Sequence, residues 1–200
     1  MNNTAKLSRK DLYSLEEYSE IRDECRERVM AHKKNRRLDL GDNLALFIED
    51  RLVMQYQIQE MLKAEKIFDA EGIQEELDAY NPLIPDGTNW KVTMMIQYVD
   101  VSERQRMLAS LVGIENMIWL RVDDHNKVYP IADEDLERAT EDKTSAVHFL
   151  RFELTPAMIS DIHKGTPIAA GVEHPNYSVT IDAIPGNVAE SLAQDLESIQ

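Results

Sequence analysis

Cysteine is almost missing from this chain: Cys25 is the only one. A disulfide framework, a zinc site built on thiolates and an iron–sulfur cluster held by this chain alone are therefore excluded. Basic residues are scarce beside acidic ones, 22 against 37, for a formal net charge of −15. That balance repels a phosphate backbone and argues against nucleic acid as a partner. Long apolar runs are also lacking. The opening residues MNNTAKLSRKD have no apolar centre of the signal-peptide kind, and no later stretch reaches the roughly 20 residues that cross a bilayer. No membrane insertion and a cytoplasmic location are expected. The sequence has no phosphate loop ending in Gly-Lys-Ser/Thr, no dinucleotide fingerprint and no nucleophile-elbow pentapeptide. A nucleotide cofactor is accordingly not expected.

What is present is enough chain, 200 residues, to bury a substantial core without disulfides or metal. One compact domain over residues 1–200 is expected. The segment NPLIPDGTN, residues 81–89, is its clearest loop, and would divide a helical lobe of residues 1–80 from a lobe of sheet and helices over 90–200.

The best-patterned stretch is EDRLVMQYQIQEMLKAEKIF, Glu49 to Phe68, about five helical turns without Gly or Pro. At about 100° per residue, Gln55, Gln59, Lys63 and Lys66 form one narrow stripe suited to water. Val53, Met54, Ile58, Met61, Ala64 and Phe68 fill most of the remainder, so the helix is expected to lie in a groove. Gln57, Glu60 and Glu65 fall inside that apolar surface, where a carboxylate needs a cation, donors or a metal.

Before this helix, Ser8 with Asp11 caps a helix predicted to run on through residue 33, with Leu15, Tyr18, Ile21, Cys25 and Val29 on one stripe. Cys25 reads as a core residue rather than a reactive thiol. HKKNRR, residues 32–37, is either an anion patch or a set of cations at a helix C-terminus. LDLGDNLALFIED alternates around Gly41 as a β-hairpin does. After the long helix, Gly72 offers a stop and IQEELDAY a short helix. Beyond residue 89 short strands alternate with short helices. KVTMMIQYV, NMIWLRVD, SAVHFLRFELT, PIAAGV and YSVTIDAI read as strands. SERQRMLASLVG, the acidic DEDLERATED, TPAMISDIHKG and residues 185–199 read as helices. His148 shares a strand face with Leu150, Phe152 and Leu154, whereas His174 before Pro175 reads as a residue of an exposed turn. The sum is an α+β fold: a helical N-terminal part with a hairpin and one long central helix, then an antiparallel or mixed sheet with short helices on one side.

HKKNRR, FIEDRLVMQYQIQEMLKAEKIF, IQEELDAYNPLIPDGTNWK and EHPNY together resemble the recurring signature of a bacterial domain-of-unknown-function family, over nearly the whole chain. What the resemblance implies is a gene placed beside those for a rubrerythrin and a cysteine-rich iron–sulfur oxidoreductase of the type that works with glycerol-3-phosphate dehydrogenase. The resemblance implies a role in peroxide defence or electron transfer.

Three functions are compatible with these residues. The first, which the resemblance favours, is an accessory or interaction protein of a redox system, without a redox centre of its own, with rubrerythrin or the iron–sulfur oxidoreductase as partner. The second is a metal site made by Glu60, His148 and His174, with Glu49 or His32 as substitutes, suited to iron, manganese or zinc. Neither His-Glu-x-x-His nor Glu-x-x-His occurs, and Glu60 reads first as a structural residue, an ion-pair partner of Arg51, Arg121 or Arg151. The third is a small-molecule enzyme or sensor whose pocket lies between the long helix and the 81–89 loop, with Arg51, Tyr56, Gln57 and Glu60 as polar anchors. Tyr56 and Glu60, four apart, would pair on one helix face. Nine methionines and the apolar long helix suit a homodimer and a monomer core alike.

Overall fold

The computed structural model describes residues 4–197. Ser8 and Asp11 do form a capping box, but only over a 3₁₀ turn, Arg9–Asp11. The first long helix, α1 (Leu15–Lys33), has its own box from Ser14 and Glu17. Two local caps interrupt what periodicity alone joins into one helix. The hairpin follows as β1 (Arg37–Asp39) and β2 (Leu44–Glu49).

The central helix, α2 (Arg51–Glu65), begins two residues later than expected because Asp50 is its cap, accepting from the Val53 N–H at 2.8 Å. Glu49 is thus a strand residue. The helix ends at Lys66, which takes a left-handed conformation with φ 58°. Gly72 is not the stop. It lies in the first turn of α3 (Ala70–Tyr80), where its N–H donates to the capping Asp69 at 2.9 Å. The Gln55 and Gln59 half of the polar stripe is not solvated either, while Lys66 is exposed. Gln55 donates to the Asp11 carbonyl at 2.5 Å, and buried Gln59 accepts from the Tyr13 N–H at 2.6 Å. Residues 11–13 cross that stripe, so its amides satisfy main chain instead of water, while Ala64 and Phe68 are left exposed.

A 3₁₀ turn, Asn81–Leu83, leads to β3 (Asn89–Ile96), then α4 (Val101–Ser110), β4 (Ile118–Val122) and β5 (Ile131–Ala132). The acidic stretch after β5 is irregular instead of helical. Asp133 adopts φ 50°, and its main chain and carboxylate both bond Phe149, so the chain clings to β6 (Val147–Glu153). α5 (Pro156–His163) is capped by Thr155 as expected. β7 (Ile168–His174), β8 (Tyr177–Ile181) and α6 (Gly186–Ala193) complete the described chain. The last residues of the helix expected over 185–199 lie outside it.

The strands form two antiparallel sheets, β1-β2-β3-β6-β5 and β4-β7-β8. The fold is α+β. The N-terminal hairpin joins the larger sheet, because β2 pairs with β3 along six residue pairs from Leu44↔Ile96 to Glu49↔Lys91. One face of that sheet carries Leu46, Ile48, Val92, Met94, Leu150 and Phe152 into a core shared with the smaller sheet, α5 and α6. A second apolar cluster joins Val53, Met54, Ile58 and Leu62 of α2 to Leu77, Ile84 and Leu7. Among the described residues, no helix is long and apolar enough to cross a membrane.

Candidate functional site

The larger sheet turns its odd-numbered residues away from the shared core. On that outer face Glu49, Lys91 and Arg151 stand opposite one another on β2, β3 and β6, and Phe47, Thr93 and Phe149 form the next row. Glu49 is buried and accepts from the Thr93 hydroxyl at 2.6 Å. Burial pushes its carboxyl up, against the pull of Thr93, Lys33 and Arg36.

Between this face and the end of α3 lies a cleft of about 600 Å³. Tyr80, Pro82, Leu83 and Phe149 give it apolar walls, and Asp78, Lys91, Glu134, Asp135 and Arg151 supply charge. Size and mixture match a small-molecule site. Each carboxylate has a partner. Arg151 grips Glu134 with two bonds, 2.7 Å from Nε and 2.6 Å from Nη2, and also pairs with Glu153. Asp135 pairs with Arg138, and Asp78 accepts from Gln74 at 2.8 Å. Only the Lys91 side chain makes neither a hydrogen bond nor an ion pair among the described residues of the cleft's charged set. Burial holds its amine below the usual lysine range; the Arg151 charge adds to this and Glu134 opposes it. The cleft therefore presents one half-buried amine without a direct partner, between the opposing charges of Arg151 and of Glu134 and Asp86, in a site with aromatic and aliphatic walls.

His148 is fully buried on the opposite face. Its Nδ1 lies 2.6 Å from Asp133 Oδ2, and its Nε2 lies 2.8 Å from the Thr144 hydroxyl and 3.1 Å from the Ser145 carbonyl. Hydroxyl, imidazole and carboxylate stand in the order of a nucleophilic triad. Thr144 is only 2% exposed, so no substrate reaches its hydroxyl. The arrangement is a fastening: it ties both ends of the 133–144 segment to β6. Arg138 assists, 3.2 Å from Asp133 and stacked on Phe149 at 4.6 Å. This segment delivers Glu134 and Asp135 to the cleft.

The residues expected to form a site lie elsewhere. Glu60 accepts from Tyr18 at 2.7 Å and from Arg22 at 2.8 and 2.7 Å; its cation is Arg22, not Arg51, Arg121 or Arg151. The Arg22 bonds, aided by Tyr18 against burial, hold its carboxyl below the usual range. Tyr56 stands beside Arg26 and Glu60, and Glu60 takes its tyrosine hydroxyl from Tyr18 across the helix pair instead. Arg51 is occupied by Asp11 at 2.5 Å and the Ala5 carbonyl at 3.0 Å. Gln57 is half-buried on the same helix. The hollow beside Tyr56 is about 10 Å³, room for one water at most. None of these four lines the cleft, which uses the start of the 81–89 loop but takes its other wall from the sheet.

Glu60, His148 and His174 are not brought together; each has its own partners. His174 is not in an exposed turn but is buried at the end of β7, with Nε2 3.3 Å from the Val112 carbonyl and Nδ1 accepting from the Asn176 N–H at 3.1 Å. His32 lies 2.5 Å from Asp50. Among the described residues no three His, Cys, Asp or Glu side chains are arranged to hold a metal ion. E60Q is expected to lower stability by about 1 kcal/mol, the loss of a half-exposed bidentate pair, without altering ligand binding in the cleft. Urea denaturation of both proteins checks this, and a change in ligand affinity would return Glu60 to the site.

Fold and cleft together define an α+β protein with a lysine-bearing cleft on the outer face of an antiparallel sheet. The chain belongs to the family described as Protein of unknown function (DUF3501), whose model matches residues 6–196. It is similar to a novel protein of unknown function from Burkholderia pseudomallei known from a crystal structure, with 52% identity, 96% of this chain and 100% of that one covered, and a TM-score of 0.91. No curated protein matches the chain.

Proposed function

We propose that the protein binds a small organic ligand in the cleft, with one acidic or carbonyl group against Lys91 and an apolar body against Tyr80, Leu83 and Phe149. The observation that carries this reading is the unpartnered Lys91 amine, in a cleft where every other charge is compensated. A half-buried cation without a partner is costly, and a ligand oxygen would supply the missing charge-assisted bond. A panel of aliphatic and aromatic acids is expected to contain compounds that raise the unfolding temperature. K91M should weaken their binding about tenfold, which is about 1.4 kcal/mol. A panel without any effect, or one whose effect survives in K91M, would sink this reading.

An interaction role has separate support. The net charge is −15, and residues 133–142 include six carboxylates. Such a surface steers association with a basic partner in a salt-dependent way. The family resemblance supplies rubrerythrin or the iron–sulfur oxidoreductase as that partner. Pull-downs at low salt should recover one of them and lose it at high salt; recovery of neither removes the support.

A further inference from the structure

We infer that Lys91 captures carbonyl compounds, forming an imine with an aldehyde or 2-oxo acid whose apolar body lies against Tyr80, Leu83 and Phe149. The inference rests on the ligand-binding reading of the cleft and adds a covalent step to it. Three features of the site support it. The Lys91 amine makes no direct ion pair among the described residues, and Glu134, which with Asp86 favours its ammonium form, is engaged twice by Arg151. A second cation, Arg151, is its direct neighbour across β3 and β6. Apolar side chains, Tyr80, Leu83 and Phe149, line the same cleft. Desolvation beside another cation is the setting in which a lysine becomes a nucleophile near neutral pH, and the direction of the Lys91 shift agrees.

The step balances without a further reactant. The Lys91 Nζ lone pair adds to the carbonyl carbon, and the C=O electron pair moves to oxygen. A proton passes from nitrogen to that oxygen through solvent, giving a carbinolamine. Protonation then expels the hydroxyl as water, the nitrogen lone pair closes the C=N bond, and the second nitrogen proton returns to solvent. Arg151 is suited to hold the carboxylate of a 2-oxo acid, exchanging part of its bond to Glu134 or Glu153.

The test is reductive trapping. The full-length protein is incubated near neutral pH with phenylpyruvate or benzaldehyde and sodium cyanoborohydride, and the modified lysines are identified by peptide mass spectrometry. Lys91 should be labelled at least about tenfold above any other lysine, as its activated amine requires. K91R should lose that adduct while keeping the parent's circular dichroism spectrum. K127R, at a lysine ion-paired to Glu173, should label as the parent does. In parallel, 3-phenylpropanoate, which has no ketone or aldehyde, tests the cleft alone. If it raises the unfolding temperature but Lys91 is labelled no more than its fellows, carbonyl capture is wrong and the ligand cleft stands. If neither response occurs, both readings fall.

Discussion

R36M is expected to lower stability at neutral pH by about 3–5 kcal/mol, because it strands the buried Asp195 carboxylate and removes a cation from beside Asp50. Arg36 is 2% exposed and sits where the end of α1, β2 and α6 meet. Nε donates to the Ile48 carbonyl at 2.9 Å, Nη2 to the Glu49 carbonyl at 3.1 Å, and Nη1 to the Ser191 hydroxyl at 3.2 Å. It pairs with Asp195, which is fully buried, and approaches Asp50 at 3.4 Å. Burial favours neutral Asp50, but the His32 bond, the Arg36 charge and the Val53 N–H outweigh it and hold that carboxyl below its usual range. Asp195 behaves oppositely. Burial, only partly offset by Arg36, raises it from 3.8 to about 6, and its Oδ1 has no partner. Between those two pH values the folded protein keeps a proton that the unfolded chain has released. Stability therefore falls as pH rises through that window, by about 3 kcal/mol from this group, and the loss is complete above it. Urea denaturation at several pH values should show that slope in the parent and a shallower one in D195N. Equal slopes, or an R36M protein within 1 kcal/mol of the parent, would contradict this account of the network.

H148L should cost about 2–3 kcal/mol and loosen the segment that borders the cleft. The substitution leaves the Asp133 carboxylate with Arg138 and the Phe149 N–H, and leaves the Thr144 hydroxyl with only a long contact to Glu115, 3.4 Å. Asp133 also sits at φ 50°, a conformation that costs a non-glycine residue about 1 kcal/mol or more and persists only while its bonds hold. Release of this segment exposes Arg138 and Lys143 to trypsin. Full resistance in H148L would show that the histidine is a packing residue and not a fastening.

The face assignments of β3 and β6 could be read directly, since Val92, Met94 and Ile96, and again His148, Leu150 and Phe152, recur at every second position, with Lys91, Thr93 and Arg151 among the residues between them. The Thr155–Pro156 start of α5 was equally local. The cleft was not legible, because it depends on Lys91 meeting Arg151 sixty residues away, and register between distant strands is set by tertiary packing and not by periodicity. Glu60 stands out in the sequence as a carboxylate among apolar helix positions, but its partner Arg22 lies on a separate helix whose docking angle no pattern fixes. His174 misled for the opposite reason. A His-Pro pair suggests an exposed turn, yet the ring folds under the chain to reach the Val112 carbonyl. The acidic stretch after β5 has the composition of a solvated helix, and the bonds from Asp133 to β6 explain why it is irregular instead.

The most direct test of the cleft is an amide ¹H–¹⁵N NMR titration of the isotope-labelled protein with 3-phenylpropanoate. The account predicts saturable shifts at Tyr80, Leu83, Lys91, Phe149 and Arg151, with Tyr56, Glu60 and their neighbours on α2 unmoved. Shifts centred on α2, or none at saturating ligand, would contradict it.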